Sequence, residues 1–202
     1  MKSIPLLDIK VLKFFNTLMI DKTFFSFFTE IGNGLICLAI TVPLLSLISY
    51  RTPLNNVKVQ TLVFVGLGVG LIVKVLKELT SLYAVRPGFY EFEDVIYLEP
   101  VYLYSSFPSG HAATIFSLFL VWISLAFRNT KISNAGLTIT LLLIFASMVS
   151  LSRVIVAAHW LSDVLGSIAL AFVALNAIRF KVFRNILFES CLLYTSDAAD
   201  DW

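Results

Sequence analysis

Three ionisable side chains stand close together in an otherwise apolar stretch. The segment SRVIVAAHWLSDVLG, at 152–166, holds Arg153, His159 and Asp163. Such groups are costly to bury in an apolar environment without partners, so their presence indicates a site. His159 and Asp163 are four residues apart, which predicts that they share one face of a helix. A carboxylate bound to one imidazole nitrogen fixes the tautomer and leaves the other nitrogen free to attack.

Arg153 requires a different arrangement, because it precedes His159 by six residues and one unbroken helix would not align the two. We therefore expect a bend between them. Considered alone, a histidine and an aspartate on one helix are more often structural than catalytic. The functional interpretation depends on what else converges with them.

A second polar group occurs where another apolar run begins. PSGH, at 108–111, puts Pro108, Ser109 and Gly110 at a predicted helix N-terminus, followed by His111. The N–H groups and dipole at a helix N-terminus favour an anion, and glycine permits its close approach. Serine at this position is also a common N-cap, which requires no ligand.

Two further cations, Lys77 and Arg86, flank the end of an earlier apolar run. Together with Arg153 they exceed what one carboxylate needs, and they suit a phosphoryl group, whose transfer depends mainly on positioning and charge stabilisation. The chain's two histidines would then divide the work, one attacking phosphorus and the other protonating the leaving oxygen. Lys77 alone is also explained as an anchor that reaches the membrane surface.

The composition favours a membrane protein. Of the 202 residues, 58% are hydrophobic and 14% charged, whereas soluble domains carry about a quarter charged residues. The net charge of +2 gives no indication of a nucleic-acid partner. The two cysteines lie far apart and indicate neither a disulfide framework nor a metal cluster.

Five stretches are apolar enough to cross a bilayer, which takes roughly 20 residues each. The predicted spans are Phe24–Tyr50, Val59–Thr80, Pro108–Phe127, Ala135–Ile155 and Trp160–Phe180. The first contains Pro43, which a transmembrane helix tolerates as a kink. Residues 4–20 mix apolar and charged side chains, which predicts a helix lying at the interface. The expected fold is all-α: a polytopic membrane helix bundle of about five transmembrane helices plus an N-terminal interfacial helix.

Basic residues collect on one side of this topology. They occupy the loops at 51–58 and 128–134 and the segment that starts near Phe180, in the order Arg51, Lys58, Arg128, Lys131, Arg179, Lys181 and Arg184. The positive-inside rule makes this side cytoplasmic. The candidate site residues then fall together on the outer face. We expect an integral protein of the bacterial cytoplasmic membrane.

The last residues differ in character from the rest. CLLYTSDAADD, at 191–201, follows an apolar, basic stretch and resembles the translation of a sequencing adapter. We therefore expect residues 1–190 to form a single membrane-embedded domain and residues 191–202 to be a non-native tail.

Taken together, the motifs resemble the signature of the type 2 phosphatidic acid phosphatase superfamily. That signature is a lysine ahead of Arg-Pro, then PSGH, then SR-x5-H-x3-D. PSGH and SRVIVAAHWLSD, at 152–163, match it fully, as does the Arg86–Pro87 pair. Eight residues separate Lys77 from Arg86, where family members usually have six.

The resemblance implies a role for each site residue. His159 would be the nucleophile that becomes phosphohistidine, Asp163 would orient it, and His111 would be the general acid. The residues that would hold the phosphoryl oxygens are Lys77, Arg86, Ser109, Gly110 and Arg153. The resemblance implies no metal and no cofactor.

The expected activity is a metal-independent lipid phosphatase. It would act on a lipid phosphate or diphosphate among the membrane lipids, while the oligomeric state stays open. A non-catalytic binder or transporter of lipid phosphates is an alternative, but it would need the cations without both histidines and Asp163. A phosphotransferase using the same site, with an acceptor other than water, is another.

Overall fold

The structure, a computed structural model, describes residues 4–48, 56–98, 100–127 and 135–179. The helices are α1 (Leu6–Asn16), α2 (Lys22–Glu30), α3 (Gly34–Ile48), α4 (Asn56–Thr80), α5 (Gly110–Phe127), α6 (Ala135–Ile155) and α7 (Leu161–Arg179), with a 3₁₀ turn at Pro87–Tyr90. These described residues form no strand, so the all-α class is confirmed. The predicted tail at 191–202 lies outside them.

Helix α5 lies at the centre of the bundle. It packs against α3, α4, α6 and α7, and its residues 112–119 are all buried. A helix that is apolar on every side belongs in a packed protein interior or in lipid, and α5 lies in the packed interior. Ile115, Phe119 and Trp122 are among the largest fully buried side chains of the core. His111, in the first turn of α5, is therefore carried by a helix that is surrounded by four others.

The first predicted span, Phe24–Tyr50, is not one continuous helix in the described residues. Its residues form α2 and α3, which are bent by 70° at the break between them. Pro43 lies inside α3 and does not cause the bend. In the break, Gly32 and Asn33 bond back three residues, to Thr29 and Glu30, at 3.2 and 2.9 Å. Glycine is a poor helix former, which helps the chain to turn here.

The number of membrane spans is only partly established. Among the described residues, one helix, α6 over Gly136–Ile155, is long and apolar enough to cross a bilayer by itself, with a mean hydropathy of 2.0. Helices α2 and α3 pass the same test only as a bent pair. Helices α5 and α7 contain shorter apolar segments, Gly110–Ser124 and Leu161–Ala177. Five transmembrane helices therefore stay a prediction.

Helix α1 falls inside the predicted 4–20 segment and packs against α6 and α7. The Asn16 amide donates to the carbonyls of Ile96 and Ile155, at 2.8 and 2.7 Å, and its oxygen accepts from the Ile96 N–H. Asp8 accepts from the N–H and the hydroxyl of Ser162, at 3.0 and 2.7 Å. Helix α1 thus ties the end of α6 to the start of α7.

Candidate active site

A tight turn between α6 and α7 brings His159 back to Arg153. Ala157 adopts a left-handed conformation, with φ at 55°, and the N–H groups of Ala158 and His159 both donate to the Arg153 carbonyl, at 3.0 and 3.1 Å. This is a common way for a helix to end, because it satisfies the last carbonyls. The expected bend between Arg153 and His159 is confirmed.

His159 and Asp163 do not share a helix face, so that prediction is wrong. His159 precedes α7, while Asp163 lies in its first turn. Asp163 Oδ2 accepts the Trp160 N–H at 3.0 Å and the Ser106 hydroxyl at 2.5 Å. An acidic side chain that binds the N–H at the helix start is half of a capping box. Nδ1 of His159 lies 3.6 Å from the same oxygen, just beyond hydrogen-bond distance.

The surroundings of His159 favour a neutral ring. Its side chain is almost fully buried, with 2% exposed. Burial lowers the pKa of His159 well below its usual range, and the positive charges of Arg86, Arg153 and Lys77 act in the same direction. A neutral imidazole keeps the lone pair that a nucleophile requires. His159 is therefore suited to attack rather than to donate a proton.

PSGH forms the start of α5, as predicted. The helix begins at Gly110, and the Ala113 N–H donates to the Ser109 carbonyl at 3.0 Å. The Ser109 hydroxyl is buried without a partner among the described residues, so it does not act as a cap there. A Cβ at Gly110 would meet only Val73, at an ordinary 3.5 Å. Packing therefore does not require glycine here, whereas the close approach of an anion would.

Unpartnered polar atoms collect at these residues. Within the described chain, the buried side-chain atoms without a hydrogen bond include Ser109 Oγ, His111 Nε2, Arg153 Nε and His159 Nδ1, beside hydroxyls of Ser117 and Ser150. An unsatisfied buried polar group costs about 1–3 kcal/mol. A ligand in this cluster would satisfy Ser109 Oγ, His111 Nε2 and Arg153 Nε, whereas His159 Nδ1 faces Asp163 Oδ2 at 3.6 Å.

Lys77 and Arg86 converge on one carbonyl. Lys77 Nζ and Arg86 Nη2 donate to the Ser105 carbonyl, at 3.2 and 3.4 Å. Arg86 also donates to the carbonyls of Tyr104 and Ala158, at 2.9 and 3.3 Å. The guanidinium therefore joins the segment before α5 to the turn that carries His159. The structure brings Lys77 into the cluster despite its longer spacing.

His111, the remaining predicted site residue, lies close to the other charged groups of the cluster. His111 interacts with Arg153, His159, Lys77 and Arg86. The sequence-predicted residues from α4, α5, α6 and the start of α7 thus meet in one place. These side chains present mainly nitrogen donors, which suit an anion rather than a metal ion. In the described part of the chain, no three His, Cys, Asp or Glu side chains group closely enough to hold a metal.

Two residues that were not predicted from the sequence also support this cluster. Ser106 donates to Asp163, as described above. Thr29, in α2, accepts hydrogen bonds from Arg153 Nη1 and the Ser152 hydroxyl, at 2.7 and 3.2 Å. Ser106 stands two residues before PSGH and could have been found there. Thr29 gives no such signal, because a hydroxyl in an apolar helix usually bonds within that helix.

A cavity of about 100 Å³ opens beside the two arginines. Arg86 and Arg153 line it together with Glu30, Tyr97 and Tyr102. Neither histidine lines it, so it lies on the arginine side of the cluster. Its volume is several times the roughly 10–15 Å³ that one water needs, which gives room for a small anionic group.

Comparison with known proteins agrees with this architecture. The sequence model of the PAP2 superfamily matches residues 58–186. LpxE from Aquifex aeolicus has a TM-score of 0.64 and 21% identity, covering 86% of this chain and 96% of that one. The first transmembrane PAP2-type phosphatidylglycerolphosphate phosphatase from Bacillus subtilis has a TM-score of 0.67 and 20% identity, covering 86% and 83%. No curated protein matches this chain.

These findings differ in what they establish. At such low identities, the two solved structures show a shared fold and nothing finer. The family match covers more than half of the chain, and Lys77 and Asp163, the first and last predicted site residues, lie within it. The resemblance drawn from the motifs is thereby confirmed, and the chain belongs to the PAP2 superfamily.

Proposed function

We propose that this protein is an integral membrane phosphatase that hydrolyses a lipid phosphate or diphosphate through a phosphohistidine intermediate, without a metal. The observation that carries the proposal is the meeting of three cations with both histidines and an unpartnered serine hydroxyl. Phosphoryl transfer needs positive charge around the group and a nucleophile on one side of it. This cluster supplies both.

In the proposed reaction, Lys77, Arg86 and Arg153 bind the non-bridging oxygens of the phosphoryl group. Ser109 and the N–H groups at the start of α5 add neutral donors, for which Gly110 leaves space. These groups are held by the fold before substrate arrives, so they stabilise the transition-state charge without reorganising.

The ring nitrogen of His159 that faces away from Asp163 attacks phosphorus. The new P–N bond forms as the P–O bond to the lipid breaks, and His111 donates a proton to the departing oxygen. Asp163 stabilises the positive charge that develops on the His159 ring. In the second step His111 takes a proton from water, which attacks the phosphohistidine and releases phosphate.

The binder or transporter alternative explains less of the cluster. Charge alone would hold a lipid phosphate, with no need for a buried, neutral His159 beside a carboxylate that Ser106 and Trp160 fix in place. A phosphotransferase would use the same first step and differ only in the second, where another acceptor replaces water. Hydrolysis is the simpler proposal, because it requires no second substrate.

The test is phosphate release by the purified protein in detergent with EDTA present. The panel would be phosphatidic acid, phosphatidylglycerol phosphate, undecaprenyl diphosphate and the phosphates of lipid A, with His159→Ala as the control. Release from at least one lipid by the unmodified protein, and none by the variant, supports the proposal. Tight lipid binding without release supports the binder. Activity that EDTA abolishes and Mg²⁺ restores contradicts the metal-independent mechanism.

A further inference from the structure

The break between α2 and α3 lies against the candidate active site. Thr29, in the last turn of α2, has 4% of its surface exposed, and Gly32, in the break itself, is buried. The two residues are three apart, so they face the same side of this turn. Each contacts a different part of the cluster.

Thr29 contacts Arg153. Its Oγ1 accepts from Arg153 Nη1 at 2.7 Å, while Arg153 Nε has no partner among the described residues. The described ion pairs also leave Arg153 without a carboxylate partner. Glu30 lines the same cavity, but its carboxylate accepts from the Asn33 amide at 3.1 Å. A neutral hydroxyl thus orients the guanidinium without neutralising it, whereas a carboxylate would compete with an anionic ligand.

Gly32 contacts His111. A Cβ at residue 32 would lie 2.8 Å from His111 Cβ, 3.1 Å from His111 Cδ2 and 2.9 Å from Val149 Cγ1. Cδ2 is the ring carbon bonded to Nε2, the unpartnered nitrogen. Both neighbours belong to packed helices, so neither can move away at little cost. The missing side chain at residue 32 therefore leaves room for the imidazole where it is.

We propose that the α2–α3 break is a positioning element of the active site, in which Thr29 orients Arg153 and Gly32 fixes the depth of the His111 ring. The proposal rests on the proposed function, in which Arg153 binds phosphoryl oxygens and His111 protonates the leaving group. Neither Thr29 nor Gly32 needs to touch substrate. Loss of the two contacts should affect activity differently, because the Thr29 contact serves phosphoryl binding and the Gly32 contact serves proton donation to the leaving group.

The test of Thr29 compares Thr29→Val, which keeps the shape and loses the hydroxyl, with Thr29→Ser, which keeps the hydroxyl. Thr23→Val, on the exposed surface of the same helix, is the control. We expect Thr29→Val to lose about tenfold or more in kcat/KM, on lipid and aryl phosphates alike, as loss of one hydrogen bond to a charged group can. Vanadate should bind correspondingly more weakly. Thr29→Ser should keep both the kcat/KM and the vanadate affinity of the unmodified protein. Equal values for Thr29→Val and Thr23→Val would overturn the assignment.

The test of Gly32 compares Gly32→Ala with Gly34→Ala, where a Cβ would meet nothing within 4 Å. We expect Gly32→Ala to lose far more activity on a lipid monoester than on p-nitrophenyl phosphate, whose leaving group needs little protonation. Gly34→Ala should keep its activity on both substrates. If Gly32→Ala fails to fold, Gly32→Ala/Val149→Ala removes one of the two clashes and keeps the one with His111. Equal losses on both substrates in whichever variant folds would overturn the role of Gly32.

Vanadate binding separates this inference from the proposed function, because it can be measured without turnover by the shift in thermal unfolding. An unmodified protein that releases no phosphate, yet binds vanadate more tightly than Thr29→Val does, refutes the function and keeps the Thr29 contact. An active unmodified protein whose Thr29→Val and Gly32→Ala forms match their controls keeps the function and refutes the inference.

Discussion

Lys77 and Arg86 donate hydrogen bonds to the same carbonyl oxygen, that of Ser105. The chain between them leaves α4 after Thr80 and turns, and the Ala84 carbonyl then accepts from the Ser106 N–H at 2.9 Å. The residues beyond the usual spacing are accommodated in this connection, so the two cations still meet. A difference in sequence spacing need not change the position of a side chain when the difference falls in a turn.

Lys77→Ala is therefore expected to weaken catalysis strongly. Loss of a charge-stabilising donor of this kind costs about 2–4 kcal/mol of transition-state stabilisation, which is roughly 30- to 1,000-fold in kcat/KM. The control is Lys74→Ala, on the exposed surface of the same helix. A loss of under about tenfold would identify Lys77 as an interfacial anchor instead.

Ser106→Ala is expected to lower kcat by acting through Asp163. The substitution removes the 2.5 Å hydrogen bond to Asp163 Oδ2, so the carboxylate no longer holds one orientation toward His159. We expect a loss of about tenfold to a hundredfold, within the range for removing a hydrogen bond to a charged group.

A double-mutant cycle checks whether Ser106 acts through Asp163. In kcat, Ser106→Ala should add little to Asp163→Asn, because residues of one network are not additive. Fully additive losses would show that Ser106 acts on something else.

The two histidines should fail differently. His159→Ala is expected to be inactive toward every substrate, because it lacks the nitrogen that is proposed to bond to phosphorus. His111→Ala should lose about 10²–10⁴-fold more on a lipid monoester than on p-nitrophenyl phosphate, whose anionic leaving group is stable without a proton. Both kcat and kcat/KM should be measured, since the proposed mechanism places His111 next to the bound phosphate. Equal losses of His111→Ala on the two substrates would exclude it as the general acid.

The cluster is expected to face away from the cytoplasm. Cysteines introduced at Glu93 and at Asn129, which lies outside the described residues, would be exposed to an impermeant thiol reagent on intact cells. Glu93 stands in the segment next to the site, and Asn129 in a loop of the basic side, so the Glu93 position should be labelled first. Preferential labelling at Asn129 would reverse the topology.

The parts of the site that were predictable carry rare residue types in a mostly apolar chain. His111, His159 and Asp163 were found for this reason, and the start of α5 followed from the glycine and serine before it. Gly32 could not be found in this way, because its importance depends on His111, a residue far away in sequence. The bend between α2 and α3 was missed because apolar composition is the same for a straight span and a broken one.

Helix α1 supports the site region from outside the residues that the family model matches. The family match starts at residue 58, yet Asp8 and Asn16 hold the two ends of the turn that carries His159, through Ser162 and Ile155. A fragment cut at the family boundary would keep every motif and lose these attachments. The turn that carries His159 is therefore held partly by hydrogen bonds from Asp8 and Asn16, which lie outside the residues that the family model matches.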